Sequence, residues 1–172
     1  MTNNQQPAHQ QLNELISDIR FAMFTTVNSQ GVLTSRPMTV QKDPDDEKEN
    51  AQAATHLWFF MSRTSETVAE FSLSPSVNVS FADTGDDIYV SVSGHARLVE
   101  DMALKQRLWS KMNEAWFPQG VTDPDLALVR VEIEQAEFWN VKESKLVQLF
   151  KIAKAAFSDE PPTLGTHGRL TP

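Results

Sequence analysis

The residues best suited to chemistry follow an apolar run, Leu57 to Met61, where the chain turns polar at Ser62-Arg63-Thr64-Ser65. The run is short enough to be a buried strand, and a helical pattern follows from Val68 to Phe71. A strand that enters a Ser/Thr-capped helix leaves backbone N–H groups unpaired at the helix start. Those donors, the helix dipole and the Arg63 guanidinium together favour a phosphate. Because Trp58 to Phe60 could wall a flat ring, the stretch indicates a nucleotide-like ligand, with flavin mononucleotide (FMN) as one candidate.

The same stretch has a purely structural interpretation, which is a core strand followed by an ordinary capped helix. A second candidate, Ser35-Arg36-Pro37-Met38, lies in an earlier predicted strand. Arg36 could hold a phosphate through two hydrogen bonds. Pro37 cannot donate to a strand ladder, so it indicates an edge, a bulge or a docking position. The alternative here is a surface arginine before an edge proline.

Other chemistries lack the residues they need. There is no cysteine, and His9, His56, His95 and His167 show no metal-binding spacing, so no metal site is predicted. Hydrolase elbows, P-loops and dinucleotide-binding glycine motifs are absent from the sequence. The acidic run within Lys42 to Ala54 lacks the spacing of a calcium loop and predicts a mobile, solvated loop.

The amino-acid composition further limits the classes of protein to which the chain can belong. The 172 residues carry a net charge of −8, with 40% hydrophobic and 22% charged residues, which is typical of one globular domain. The acidic balance argues against nucleic-acid binding. No apolar run approaches the ~20 residues of a membrane span. Since the polar N-terminus lacks the apolar core of a signal peptide, the sequence predicts a cytoplasmic protein with no membrane partner.

The elements predicted to position these residues are mostly strands. A short helix is expected over Leu12 to Ile19, an apolar helical stripe over Asp101 to Ala115, and a closing helix over Leu146 to Phe157. Between them lie antiparallel strands, with a bulge or corner at Gly94. They include alternating stretches from Val77 to Phe81 and from Ile88 to Val92, a strand from Val129 to Ile133 and a separate short strand that begins at Glu137. The order predicts a mainly β (α+β) fold, a closed or nearly closed small barrel. Residues 1–10 are predicted to be a disordered tail, 11–157 the domain and 158–172 a tail or arm.

A series of stretches carries a family resemblance. The chain resembles the pyridoxamine 5′-phosphate oxidase-like superfamily, and most closely its general stress protein branch. The stretches occur in the family's order from about Leu12 to Phe157, and the ordered set is more specific than any single motif. They are DIRFAMFTTV, SRPMTVQ, LWFFMSRTSETV, PSVNVSFAD, YVSVSGHARLVED, AWFPQG, AEFWNV and KLVQLFKIAKAAF.

The resemblance implies an antiparallel FMN-binding split barrel with flanking helices, assembled as a homodimer with flavin at the subunit interface. Arg36 to Gln41 would run along the flavin, Phe60 and Met61 would extend the wall, and the hydroxyls and Arg63 of the turn would serve the phosphate. The implied flavin-binding residues are Arg36, Pro37, Met38, Thr39, Gln41, Phe60, Met61, Ser62, Arg63, Ser65, Thr67 and, reaching in from the other subunit, Trp139.

Two functions are compatible with this resemblance. The first is a flavin-binding, low-specificity reductase or oxidase that uses FMN, or alternatively FAD. The second is a non-enzymatic, stress-related binding protein that keeps the fold with weak or no flavin affinity. Many relatives carry lysine where Thr67 stands and threonine where Met61 stands. The oxidase's basic residue in the last strand region has only Lys145 as a counterpart, so oxidation of pyridoxamine phosphate is not expected.

Overall fold

The protein is described from a computed structural model, which defines residues 8–44, 55–140 and 166–171. Within these ranges the chain forms seven strands, three α-helices and two short 3-10 turns, at Lys111–Ala115 and Gly120–Thr122. The helices are α1 (Ala8–Ile16), α2 (Glu66–Leu73) and α3 (Met102–Leu108). The strands are β1 (Phe21–Val27), β2 (Leu33–Gln41), β3 (His56–Ser62), β4 (Ser76–Asp83), β5 (Ile88–Val99), β6 (Leu126–Asn140) and β7 (Thr166–Leu170).

The strands form one antiparallel sheet in the order β3-β2-β1-β4-β5-β6-β7. A further pairing of β3 with β6, from His56↔Glu132 to Ser62↔Leu126, closes β1 to β6 into a barrel. The prediction of a small antiparallel barrel with helices at its margins is therefore confirmed. No helix in the described ranges is both long and apolar enough to cross a membrane.

The interior of the barrel holds the main core, which includes the fully buried Phe24, Phe59 and Val79. β3 is buried on both faces. Its residues Leu57, Phe59 and Met61 join the main core, whereas Trp58 and Phe60 join a second, outer cluster with Leu108 and Phe117. This double burial explains why β3 is a continuous apolar run rather than an alternating one.

β6 differs from its prediction. The sequence indicated a strand from Val129 and a separate short strand at Glu137, but the structure has one strand of 15 residues. Its first half pairs with β3, and its last residues, Ala136 to Asn140, pair with β7. The predicted irregularity at Gly94 is confirmed, since the β5–β6 register shifts between Ser93 and Gly94. A Cβ on Gly94 would lie 2.1 Å from the Glu132 carbonyl oxygen, so only glycine permits this approach.

The single helix predicted from Asp101 to Ala115 is wrong. α3 ends at Leu108, because Trp109 takes an extended conformation, with φ −67° and ψ 131°. A 3-10 turn follows, and Met112 is exposed rather than buried with Leu108. The predicted stripe therefore contacts the core only through its first part.

The termini also differ from expectation. Residues 8–10 belong to α1 rather than to a tail, and α1 ends at Ile16 rather than Ile19. Residues 166–170, which fall in the predicted tail or arm, form strand β7 on β6. The predicted closing helix at 146–157 and most of the predicted acidic loop lie outside the described residues. At the loop's start Asp43 is not solvated, since it is buried and its carboxylate accepts a hydrogen bond from Arg107 at 2.7 Å.

Candidate functional site

The barrel has a gap between two neighbouring strands. β2 and β3 pair only at Val40↔Phe59 and Gln41↔Trp58. Continuing that register would place Thr39 opposite Phe60, Met38 opposite Met61 and Pro37 opposite Ser62, but none of these pairs forms. We call the gap between 36–39 and 60–63 the β2–β3 split. Its two edges are the two stretches that the sequence singled out for ligand binding.

The β2 edge presents alternating side chains to the two faces of the sheet. Pro37 lies opposite the exposed Met23 on β1, and Thr39 lies opposite the exposed Phe21, so both belong to the outer face. The partly buried Met38 instead packs against the main core. Pro37 has no N–H to offer a further strand, and of the predicted alternatives the structure shows a strand edge here.

Gln41 lies beyond the split. It pairs with Trp58, and its side-chain Nε2 donates to the Thr39 carbonyl at 3.1 Å. Its Oε1 accepts from Asn113 Nδ2 at 3.2 Å. Because both ends of this buried amide are occupied, the structure does not bring Gln41 to the split as predicted.

Arg36 lies at the open end of the split, held by two carboxylates from α2. Its Nη1 is 3.1 Å from Glu70 Oε2, and its Nη2 is 3.3 Å from Glu66 Oε2. The Glu70 carboxylate also accepts from the hydroxyls of Thr26 and Thr34. The hydrogen bond from Thr26, followed by that from Arg36, holds the pKa of Glu70 below its ordinary value. We call these five residues the Arg36 flank.

The β3 edge offers backbone rather than side chains. Phe60 is buried in the outer cluster, with its ring centroid 5.7 Å from that of Trp109. Met61 is buried in the main core. Because both side chains are packed into these clusters, the groups of Phe60 and Met61 that are open to the split are those of the peptide backbone.

The turn from Ser62 to Ser65 was predicted to bind an anion, and in the structure it binds the carboxylate of Asp125. Arg63 N donates to the Asp125 carbonyl at 2.7 Å, and Thr64 N donates to the Asp125 carboxylate at 3.2 Å. The Thr64 hydroxyl binds the same carboxylate oxygen at 3.1 Å. The Ser62 hydroxyl is the main cause that lowers the pKa of Asp125, ahead of the Thr64 backbone N–H.

Ser65 caps the helix as predicted. Its side chain accepts from Val68 N at 3.3 Å, and its own N–H donates to the Ser62 carbonyl at 3.1 Å. Together with the contacts of Asp125, these bonds occupy the backbone N–H groups of Arg63, Thr64, Ser65 and Val68.

Arg63 also has a carboxylate partner. Its Nη2 lies 2.7 Å from Glu100 Oε1, and this hydrogen bond is the main cause of the lowered pKa of Glu100. Lys105 Nζ lies 3.8 Å from the same carboxylate and donates to the Leu126 carbonyl at 3.0 Å. We call Arg63, Glu100, Lys105 and Asp125 the Arg63 flank.

Two further predicted residues lie away from the split's open surface. Thr67 is only 4% exposed within α2. Trp139 lies on the outer face of β6 and stacks on His167, with ring centroids 5.0 Å apart and planes at 17°. It lines a cavity of about 330 Å³ together with the exposed Phe21, Met23 and Tyr89. That cavity lies on the outer sheet face rather than at the split. Lys145 lies outside the described residues.

The structure therefore brings Arg36, Pro37, Met38 and Thr39 opposite the backbone of Phe60 to Arg63. Gln41 and Thr67 are buried, and the Trp139 of the same chain lies on the outer face of β6. Sequence reasoning missed the carboxylates that pair with both arginines. One signal was available, since Glu66 and Glu70 are four residues apart and share one helix face. Asp125 and Glu100 come from distant loops, and no local pattern connects them to the turn.

Comparison with known proteins gives consistent results. The family model described as "Pyridoxamine 5'-phosphate oxidase like" matches residues 7–162. General stress protein 26 of Bacillus subtilis is 36% identical over 63 residues, which are 37% of this chain and 44% of that protein, so the match spans less than half its length.

Two solved structures have a similar fold. A protein from Jannaschia sp. CCS1 assigned as a general stress protein 26 superposes with a TM-score of 0.68 at 23% identity, covering 92% of this chain and 94% of that one. The general stress FMN/FAD binding protein of Xanthomonas citri gives a TM-score of 0.65 at 29% identity, covering 80% of this chain and 91% of that one.

Proposed function

Because the chain belongs to the pyridoxamine 5′-phosphate oxidase-like family, in its general stress protein branch, we propose that it binds a flavin at the β2–β3 split. The observation that supports this most is the pair of strand edges that leave each other after Val40↔Phe59. Unpaired edges offer backbone N–H and C=O groups, and the pyrimidine edge of a flavin carries both donors and acceptors. The similar Xanthomonas citri protein, an FMN/FAD binding protein, supports the same ligand class.

The residues present fit the two ends of a flavin differently. The ring system would meet the backbone of Arg36 to Thr39, with Pro37 and Met38 beside it. The phosphate end would meet Arg36, which is already paired with Glu66 and Glu70. A bound flavin would supply the redox chemistry, whereas the protein would bind it, orient it and limit the access of water. Within this proposal the protein is a low-specificity oxidoreductase that uses FMN or FAD.

We include a homodimer in the proposal. Phe21, Met23, Tyr89 and Trp139 form an exposed apolar patch around the outer cavity. Exposed apolar patches of this kind mark interaction sites, and a two-fold contact is the commonest way in which a chain covers its own patch. Such a contact would bring Trp139 of the partner subunit to the flavin. Light scattering that gave the mass of one chain at micromolar concentration would contradict this part of the proposal.

A second candidate function is favoured by a specific observation. Both arginines predicted to hold the phosphate are neutralised by carboxylates, and the turn's N–H groups bind Asp125. A non-enzymatic protein that keeps the fold and binds flavin weakly would show this arrangement. The two candidates differ in flavin affinity and in whether the bound flavin turns over.

The test is a titration of the purified protein with FMN, FAD and riboflavin, followed by the quenching of flavin fluorescence. Binding of any of the three in the micromolar range supports the flavin site. Reduction of the bound flavin by NADH or NADPH, followed by reoxidation, supports the oxidoreductase, and binding without turnover supports the second candidate. If none of the three flavins is bound at high micromolar concentration, the proposed function is wrong.

A further inference from the structure

We infer that Glu66 determines which flavin the split accepts, because it competes with a phosphate for Arg36 and thereby favours a ligand whose terminal group is uncharged. This inference rests on the proposed flavin site and names the ligand class within it. Glu66 was not among the residues that the sequence assigned to binding.

The two carboxylates on Arg36 are not equivalent. Glu70 is 12% exposed and is fixed by the hydroxyls of Thr26 and Thr34 as well as by Arg36. Glu66 is 89% exposed, and its contact with Arg36 is a single one at 3.3 Å. Glu70 is therefore a permanent counter-ion of the guanidinium, whereas Glu66 occupies Nη2, an Arg36 nitrogen that a ligand could take over.

The position of Glu66 keeps it in this role. It is the first residue of α2, directly after the cap formed by Ser65, and it shares a helix face with Glu70 four residues on. Because Glu70 is fixed to β2 through Thr34 and Arg36, that face of α2 is directed toward the open end of the split. Glu66 consequently stays close to Arg36 even when its side chain swings away.

A phosphate monoester meets a small obstacle and a larger one at such a position: it must displace Glu66 from Arg36, and it then stays close to the displaced charge. Displacing an exposed ion pair is easy, since pairs of this kind contribute little. The displaced carboxylate nevertheless remains nearby, and its charge repels a dianion. A charge of −1 and a charge of −2 that lie about 5 Å apart in water-like surroundings repel enough to lower the affinity by roughly tenfold to twentyfold.

A polyol end group meets neither obstacle. A hydroxyl can accept from the Arg36 guanidinium and donate to the Glu66 carboxylate at once, so the ion pair can stay intact. The ribityl chain of riboflavin has such hydroxyls and no phosphate. The ligand class that fits the intact Arg36–Glu66 pair is therefore a flavin, or a flavin-like ring, that ends in neutral hydroxyl groups.

The test compares FMN with riboflavin in four proteins, using fluorescence quenching at low salt. The wild type is expected to bind riboflavin more tightly than FMN, and a wild type that bound FMN more tightly would contradict the inference. In Glu66→Gln the affinity for FMN should rise by roughly tenfold to twentyfold, while the affinity for riboflavin stays unchanged. Glu66→Asp, which keeps the charge, should keep the wild-type ratio. Glu134→Gln, which removes an exposed carboxylate paired with His95 on another face, is the matched control.

The outcomes separate this inference from the proposed function. If riboflavin binds and the FMN-to-riboflavin ratio is the same in wild type and Glu66→Gln, the inference is wrong and the flavin site stands. If Glu134→Gln changes the ratio as much as Glu66→Gln, net charge rather than Glu66 is responsible and the inference is also wrong. If no flavin binds any of the four proteins, the flavin proposal fails and the inference fails with it.

Discussion

The Arg36 flank and the Arg63 flank stand on either side of the split, and each pairs an arginine with carboxylates. At the Arg36 flank the arginine is 29% exposed and its inner partner Glu70 is 12% exposed. At the Arg63 flank the arginine is 36% exposed and Glu100 is 63% exposed. The shorter contact is the exposed one, 2.7 Å against 3.1 Å.

This difference shows that distance is a poor guide to what an ion pair contributes. An exposed pair exchanges one set of water contacts for another, so its net contribution is small however short it is. Glu70 is largely buried, and its carboxylate is an acceptor shared by Thr26, Thr34 and Arg36, so its removal weakens three contacts at once. We therefore expect the Arg36 flank to be important for stability and the Arg63 flank to be largely replaceable.

The largest expected effect is that of Glu70→Ala. It removes the acceptor of the fully buried Thr26 hydroxyl and leaves Arg36 with Glu66 alone. We expect a loss of about 2–3 kcal/mol in the free energy of unfolding, below the ~3–5 kcal/mol of a fully buried pair because Arg36 is partly solvated. Urea denaturation measures this, and a loss under about 1 kcal/mol would contradict the comparison.

The second effect concerns flavin affinity. If Arg36 contacts the flavin, Arg36→Ala should weaken FMN binding by about 1.5 kcal/mol, roughly tenfold, at the lower end for a charge-assisted hydrogen bond because part of the interaction is already used by Glu66. Arg63→Ala should change FMN affinity by less than about threefold, because the Arg63 guanidinium is already paired with Glu100 and the neighbouring N–H group of Thr64 with Asp125. The measurement is fluorescence quenching on both variants. Equal losses of FMN affinity in the two variants would show that the two flanks contribute equally to flavin binding.

The third effect is a difference in acid sensitivity. The pKa of Glu70 is lowered by Thr26 and Arg36, and that of Glu100 by Arg63. A carboxylate whose folded pKa is lowered stabilises the fold above its unfolded pKa, and this contribution is lost as pH falls through the folded value. Stability should therefore decline below about pH 4.5.

The two flanks can be separated in that decline. Glu70→Gln should make the slope of unfolding free energy against pH shallower below about pH 4.5. Glu100→Gln should change the slope less at high salt than at low salt, because the exposed pair is screened. Urea denaturation at a series of pH values provides the comparison. A slope unaltered by Glu70→Gln would mean that its pKa is not lowered in the folded protein.

The smallest expected effect is that of Glu100→Ala. It breaks the shortest ion pair of the two flanks, yet the loss in unfolding free energy should stay within about 1 kcal/mol. Lys105 keeps its bond to the Leu126 carbonyl, so no buried ammonium is left without a partner. A loss equal to that of Glu70→Ala would reverse the ranking of the flanks.

Local sequence patterns were sufficient to predict the barrel and most of its strands. Alternating residues predicted β4 and β5, Pro37 predicted an edge, and Gly94 predicted the register shift. Patterns of this kind depend on neighbours along one chain segment, and so they locate strands well. They could not show that β6 is continuous, because its middle is bulged opposite Gly94 and the alternation changes phase there.

The site was predicted less completely, for a physical reason. The sequence identified Arg36, Arg63 and the capped turn as cationic or donor groups, and in the structure Arg36 lies on β2 and Arg63 in the turn before α2. Whether these groups are already paired depends on the carboxylates of Glu70, Glu100 and Asp125, which belong to other segments of the chain. Such pairings depend on tertiary geometry, and an arginine's sequence neighbours do not reveal whether its charge is already neutralised.

The attachment of β7 has a consequence for handling the protein. Residues 166–170 pair with Ala136 to Asn140, the last stretch of β6, and Gly168 lies so close to Phe138 that an added Cβ would come within 2.6 Å of its ring. A protein shortened before residue 166 would present that stretch of β6, with Trp139 on its surface, as an unpaired edge. Such edges recruit strands from other molecules. The shortened protein should therefore tend to aggregate, even though the barrel from β1 to β6 would still contain all of its own pairings.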